Sequence, residues 1–148
     1  MKVLFVDSDP VMRGLMHCMA TMADLDHAIV PSGQAALAML RGAPPHRGAS
    51  WSVDTSIGRS VGLVIVELDL PDMHGLDLGA IIRVEFPEVA LMAHTSPACT
   101  EGTELFDEVF FKPHSTEDVI RAALRNVAGP MEWRLFGTLI PFAEASAA

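Results

Sequence analysis

Several side chains with acid, hydroxyl or amine chemistry stand directly behind apolar runs. Asp7, Ser8 and Asp9 follow Lys2–Val6, Glu67 and Asp69 follow Val61–Val66, Thr95 comes just after residues 89–93, and Lys112 follows Glu108–Phe111. Clustered carboxylates bind a hard divalent cation through oxygen. An ammonium and a hydroxyl beside them can hold the oxygens of an anionic group. That chemistry requires the side chains, far apart in sequence, to meet at one edge of the fold.

They meet if the apolar runs are parallel strands. Val61–Val66 is an unbroken apolar run, mostly β-branched, as expected of a central strand buried on both faces. Lys2–Val6 is shorter, His27–Val30 weaker, and residues 89–93 and Glu108–Phe111 complete five. Helical patterns lie between them. Asp9 can cap, and Pro10 can open, a helix whose Val11, Met12, Leu15, Met16, Met19 and Met22 repeat at three-and-four spacing. Ser32 caps residues 33–41, with Ala36, Leu37 and Leu40 inward, and residues 75–84 turn Leu76, Ile81 and Ile82 inward. Residues 100–106 make a weak helix, because Gly102 and its polar neighbours leave little apolar face. Ser115 begins the last helix, with Asp118 near a capping-box position and Val119, Ile120, Ala123, Leu124 and Val127 buried. Strands alternating with helices imply parallel pairing through right-handed crossovers. In such sheets the carboxyl ends of the strands form the rim where ligands bind.

Two stretches break the alternation. Residues 42–60 are rich in Gly, Pro and Ser, carry His46 and Trp51, and read as a surface insertion longer than such connections usually are. Residues 129–148 are too few for an output domain. Trp133, Leu135, Phe136, Leu139, Ile140 and Phe142 make this tail apolar, so it is expected to pack on its own domain or on a second chain.

Composition narrows the partners. A net charge of -9 without a cluster of Lys and Arg disfavours nucleic acid. Cys18 and Cys99 have neither metal-ligand nor disulfide spacing, which fits a reducing cytoplasm. The chain opens directly on a strand, and no apolar run is long enough to span a bilayer, so no membrane partner is expected.

Entered from its apolar strand, Glu67-Leu68-Asp69-Leu70-Pro71-Asp72-Met73-His74-Gly75 resembles the phosphorylation-site segment of response-regulator receiver domains. The likeness runs over residues 2–127 apart from the insertion. It implies, for residues 1–128, a flavodoxin-like (βα)5 fold with a doubly wound parallel sheet in the order 2-1-3-4-5. It also implies that Asp7 and Ser8 hold the places of the family's acidic pair, Glu67 that of the phosphate-accepting aspartate, Thr95 that of the switch hydroxyl and Lys112 that of the lysine. A Mg²⁺ site would draw on Asp7, Glu67 and Asp69. Ser8 lacks one carboxylate such a site would use, so Mg²⁺ binding is expected to be weak or absent, and no other cofactor is expected.

The departures from the family set the functional reading. Glu67 carries its carboxylate about 1.5 Å further out than an aspartate, into the space an acyl phosphate would fill. Its single charge imitates only part of a phosphoryl group of roughly minus two. Val109, three residues before Lys112, stands where receivers often have a switching aromatic. The resemblance therefore implies a stand-alone, atypical receiver of two-component or phosphorelay signalling, not an enzyme and not phosphorylated, that acts through protein contacts. Its expected partners are a histidine kinase, a phosphotransfer protein or a downstream effector, with a homodimer as a further arrangement. By the same likeness the docking face is the fourth and fifth helices with the fifth strand.

Other readings compete. A conventional receiver would phosphorylate Glu67 or Asp69, but Asp69 lies past the strand end. Glu67 and Lys112 could form a purely structural ion pair. Asp7-Ser8-Asp9-Pro10-Val11 also resembles the nucleophile motif of haloacid-dehalogenase-type phosphatases, with Asp7 attacking phosphate, Asp9 as acid and base, and Thr95 and Lys112 in the next roles. That scheme needs a later acidic pair at a strand end, whereas Glu117-Asp118 open a helix. His74, His94 and His114 fall on the same rim without zinc-site spacing, and strand alternation keeps His94 and Thr95 from both facing the site. The acidic first loop opposes a flavin phosphate.

Overall fold

The computed structural model describes residues 2–42, 60–98, 101–112, 116–128, 133–135 and 138–140. Five strands, β1 Lys2–Val6, β2 His27–Val30, β3 Val61–Val66, β4 Ala90–Thr95 and β5 Glu108–Phe111, form one sheet in the order β2-β1-β3-β4-β5. Every pairing is parallel, as the alternation of strands and helices predicts. The helices are α1 Pro10–Met22, α2 Gly33–Leu40, α3 Gly75–Glu85 and α4 Thr116–Ala128. A separate antiparallel hairpin, β6 Trp133–Leu135 with β7 Thr138–Ile140, follows them. Residues 43–59 of the expected insertion, Cys99, His114 and Ser115 lie outside the described residues.

Strand alternation divides the core into two layers. Leu4, Val6, Val64, Val66, Leu91 and Ala93 pack on one face with α2 and α3. Val3, Phe5, Leu63, Ile65 and Met92 pack on the other with α1 and α4. β3 is buried from both sides, so its unbroken apolar run has a use for every side chain. Each fully buried Leu, Ile or Phe contributes about 1.5–3 kcal/mol relative to exposure.

Two elements differ from their sequence patterns. Met16 and Ala20 are buried in α1 and Met12 and Met19 pack beside them, but Val11, Leu15 and Met22 are exposed. The apolar stripe is wider than the sheet it covers, and Val11, Leu15 and Met22 form its outer margin. Instead of a helix over residues 100–106 there is a single 3-10 turn, Thr103–Leu105. Gly102 sits at φ 75°, a left-handed conformation that cannot continue a helix. Arg83 fixes the turn from α3, donating to the Leu105 carbonyl at 3.1 and 3.0 Å and to Asp107 Oδ1 at 2.8 Å. Among the described residues no helix is long and apolar enough to cross a membrane.

The segment after β3 is held from two directions. The Asp72 carboxylate accepts from the amides of Gly33 at 3.0 Å and Gln34 at 2.8 Å, capping α2 from a distant loop while Ser32 accepts from Ala35 at 3.3 Å. Gly75 donates to the Leu68 carbonyl at 2.8 Å. A Cβ on Gly75 would fall 2.6 Å from Glu67 O and Leu68 Cα, so the start of α3 reaches the Glu67 segment only because this residue is glycine.

Candidate functional site

Ladder hydrogen bonds extend one residue past the strands and fix the backbones of the site. Asp7 N–H donates to Val30 O at 3.1 Å, Glu67 N–H to Val6 O at 2.8 Å and Lys112 N–H to Thr95 O at 2.9 Å. Asp7, Glu67, Thr95 and Lys112 thus stand side by side at the carboxyl ends of β1, β3, β4 and β5. The parallel order expected from sequence is what brings them together.

Their side chains form one bonded cluster. Lys112 Nζ lies 2.5 Å from both Asp7 Oδ2 and Glu67 Oε2. Glu67 Oε1 accepts from Thr95 Oγ1 at 2.7 Å, from its neighbour Leu68 N–H at 2.6 Å and from Asp69 N–H at 3.1 Å. Asp7 Oδ1 accepts from Asp9 N–H at 2.9 Å. Asp7, Glu67 and Thr95 are buried, at 5%, 8% and 0% exposure. A buried charge needs partners, and here each carboxylate oxygen has at least one.

Burial presses the Glu67 carboxyl upward, but hydrogen bonds from Lys112, Thr95 and the Asp69 amide, with the Lys112 charge, hold it below the usual carboxylate range. Burial presses the Lys112 ammonium down, yet its bonds to Asp7 and Glu67 and their charges raise it above the ordinary lysine value. The ion pair is therefore fully formed at neutral pH.

Asp69 does not join the cluster. Its side chain is exposed, and its backbone makes a bridge with His74. Asp9 is committed as well, its Oδ1 capping α1 by accepting from Val11 N–H at 2.8 Å, so an acid-base role beside Asp7 has no support in the geometry. Of the histidines expected on the rim, His74 caps α3, its Nδ1 accepting from Leu76 N–H at 3.2 Å.

His94 departs from its expectation. It lies on the opposite sheet face from Thr95, as alternation requires, yet it shares a small cavity with Phe5, Met16, Asp7 and Glu67 directly beneath the cluster. The carboxylates project past their strand ends and reach over the rim, so both faces of β4 meet them. His94 is 3% exposed and its Nε2 has no hydrogen-bond partner. Burial, aided by the Lys112 charge and opposed by that of Glu67, pulls its pKa down to about 4.

An incoming Mg²⁺ would compete with bonds that these donors already make. That ion demands near-octahedral oxygen ligation, but Asp7 Oδ1 and Oδ2 and Glu67 Oε2 already accept from Asp9 N–H or Lys112, Ser8 brings no carboxylate and Asp69 points away. Among the described residues no three potential ligands gather around a common point.

Two contributors were not singled out from sequence. Arg13 Nη1 donates to the carbonyls of Asp7 at 3.0 Å and Ser8 at 2.6 Å, bracing the first loop. Asp72 braces the loop after β3 by its cap on α2. Arg13 sits one helical turn after Asp9, which is a usable signal; nothing local ties Asp72 to Gly33.

No family model matches the sequence, and no curated protein matches it. Solved structures do resemble the fold. A response-regulator receiver domain protein from Clostridium thermocellum superposes with a TM-score of 0.68 at 17% identity, over 85% of this chain and 93% of that one. The chain has the receiver fold. The response regulator TrrA from Thermotoga maritima, solved in complex with Mg²⁺-BeF, gives a TM-score of 0.64 at 16% identity, over 85% of this chain and 98% of that one. The receiver domain of the sensor histidine kinase PA1611 from Pseudomonas aeruginosa, with magnesium coordinated in its active-site cleft, gives 0.64 at 17% identity, over 86% and 98% of the two chains.

Proposed function

We propose that this chain is a receiver-type module of two-component signalling that works by protein contacts and takes up no phosphoryl group. One observation carries the reading: the Glu67 carboxylate already engages Thr95, Lys112 and the amides of Leu68 and Asp69, the donors that an acyl phosphate on a shorter side chain would need. A nucleophilic oxygen must also present a free lone pair to phosphorus, and here Oε1 accepts three hydrogen bonds while Oε2 faces an ammonium. Lys112 bonds both Asp7 and Glu67 and offsets one of their two charges, so the chain supplies a cation of its own to this site.

In this reading Thr95 is drawn permanently toward the acceptor position, and the module stays in one signalling state. Its partners are cytoplasmic signalling proteins: a histidine kinase, a phosphotransfer protein or an effector. The docking face is built from α4 and β5, since among the described residues the β4–β5 connection supplies only a 3-10 turn, and Val109 offers no aromatic switch. The chain contributes no catalysis of its own. Intact-mass measurement after incubation with acetyl phosphate and Mg²⁺ tests this, the expected result being no phosphoryl increment. A stoichiometric increment mapped to Glu67 would overturn it.

A further inference from the structure

We propose that the cleft between α1 and the outer edge of β2 docks an extended acidic segment of a partner protein, which joins the sheet as an added strand. The cleft measures about 470 Å³ and is lined by Arg13, Gly14, His17, His27, Ala28 and Ile29. It lies on α1 and β2, away from the Glu67–Lys112 cluster, and the proposal stands whether or not Glu67 is ever modified.

The first support is the backbone. Among the described residues β2 is the edge strand, paired with β1 alone. Asp26 and Val30 direct their carbonyls inward, accepting from Val3 N–H at 2.9 Å and Asp7 N–H at 3.1 Å. By the alternation of a parallel ladder, the backbone N–H and C=O of His27 and Ile29 therefore face the open edge. Unpaired edge groups of this kind are a template for an incoming strand, which gains affinity from main-chain bonds and specificity from the groove beside it.

The second support is charge. The chain carries a net charge of -9, yet among the described residues no carboxylate lines this cleft. Arg13 uses Nη1 on the Asp7 and Ser8 carbonyls and, among the described residues, forms no ion pair with an acid. Its uncompensated charge selects an acidic occupant over a basic one.

The third is preorganisation. His27 Nδ1 donates to Leu25 O at 2.7 Å, which leaves Nε2 of the neutral ring to accept from His17 Nδ1–H at 3.0 Å. That bond ties the helix wall to the strand wall. Gly14, in mid-helix where glycine is unfavourable, has open space where its Cβ would be, so no packing among the described residues demands it. Its bareness leaves the channel clear.

The test is an amide-resolved NMR titration of the full chain with acetyl-Val-Glu-Val-Glu-Val-amide. Saturable shifts at Gly14, His27 and Ile29, with slowed amide exchange at His27 and Ile29, are expected. N-methylation of one alternate set of peptide amides should abolish binding and the other set should leave it intact. Gly14→Glu puts a like charge into the channel without a steric clash and should weaken binding at least about tenfold. Absence of saturable binding, equal binding of the lysine analogue, indifference to N-methylation, or the same shifts with inorganic phosphate alone would each overturn the proposal.

Discussion

Shortening Glu67 to aspartate removes the methylene on which the proposed inertness depends, and its effect can be worked from the distances. The carboxylate retreats by about 1.5 Å. Contacts of 2.7 Å to Thr95 Oγ1 and 2.5 Å to Lys112 Nζ then lengthen beyond hydrogen-bond range. Each hydrogen bond to a charged group contributes about 1.5–3 kcal/mol. Lys112 keeps Asp7 at 2.5 Å, and its side chain is 17% exposed, so water recovers part of the loss. A net destabilisation of about 2–4 kcal/mol is expected at neutral pH. Urea unfolding of wild type and Glu67→Asp, at unchanged m-value, measures it. The retreat also vacates the space beside Thr95 and Lys112. Combined with Ser8→Asp, which returns a carboxylate to the first loop, it should give a saturable response to Mg²⁺ and beryllofluoride at the Leu68, Asp69 and Thr95 amides, where wild type gives none. If Glu67→Asp is as stable as wild type within about 0.5 kcal/mol, the carboxylate does not hold these donors and the reasoning fails.

Further perturbations probe the neighbours of that carboxylate. His94, pulled from 6.5 to about 4 in the fold, refuses a proton that the unfolded chain accepts, so stability should fall by about 3 kcal/mol as pH drops through that window. His94→Leu should flatten this slope in urea titrations across pH and leave neutral-pH stability unchanged or higher, since it removes an unpartnered buried nitrogen. The contribution of Glu67 behaves differently: it is complete above 4.5 and is lost only as pH falls through its depressed folded value. Lys112→Met leaves Asp7 and Glu67 facing each other without a cation and should cost about 3–5 kcal/mol at neutral pH, with a smaller loss in acid where the carboxyls protonate. Asp72→Ala removes both caps on Gly33 and Gln34 and should lower stability by about 1–2 kcal/mol by thermal or urea unfolding, with Asp72→Asn retaining part of it.

What the sequence makes legible, and what it hides, follows from the range of each interaction. The strands are legible because burial on one or both faces leaves a period in the residues themselves, clearest in Val61–Val66. Strand ends follow from the strands, so Asp7, Glu67, Thr95 and Lys112 could be placed on one rim before any coordinates were known. The cap from Asp72 to Gly33 spans 39 residues and leaves no periodic trace. The outer margin of α1 is hidden for another reason: a hydrophobic stripe records which residues are apolar, not how much of the sheet is there to cover them. The weak helix over residues 100–106 fails on a conformational point, because the sequence shows Gly102 but not its positive φ.

The least legible feature is the one on which the proposed function turns. A glutamate at the end of a buried strand could extend into solvent, pair with Lys112 alone, or curl back on its own chain. The choice is made by the Leu68 and Asp69 amides, which lie just past β3 in the turn toward Pro71 and would stay unsatisfied behind Gly75 if the carboxylate left. Unpaired buried amides are costly, so the side chain serves them first and reaches Thr95 and Lys112 with what remains of its length. Aspartate, one methylene shorter, cannot satisfy the same amides and still meet the hydroxyl and the ammonium, which leaves those two donors free for an incoming oxyanion. In the proposed function, Glu67 therefore acts less by adding a negative charge than by closing, within one residue, a hydrogen-bond set that a phosphoryl group would otherwise complete.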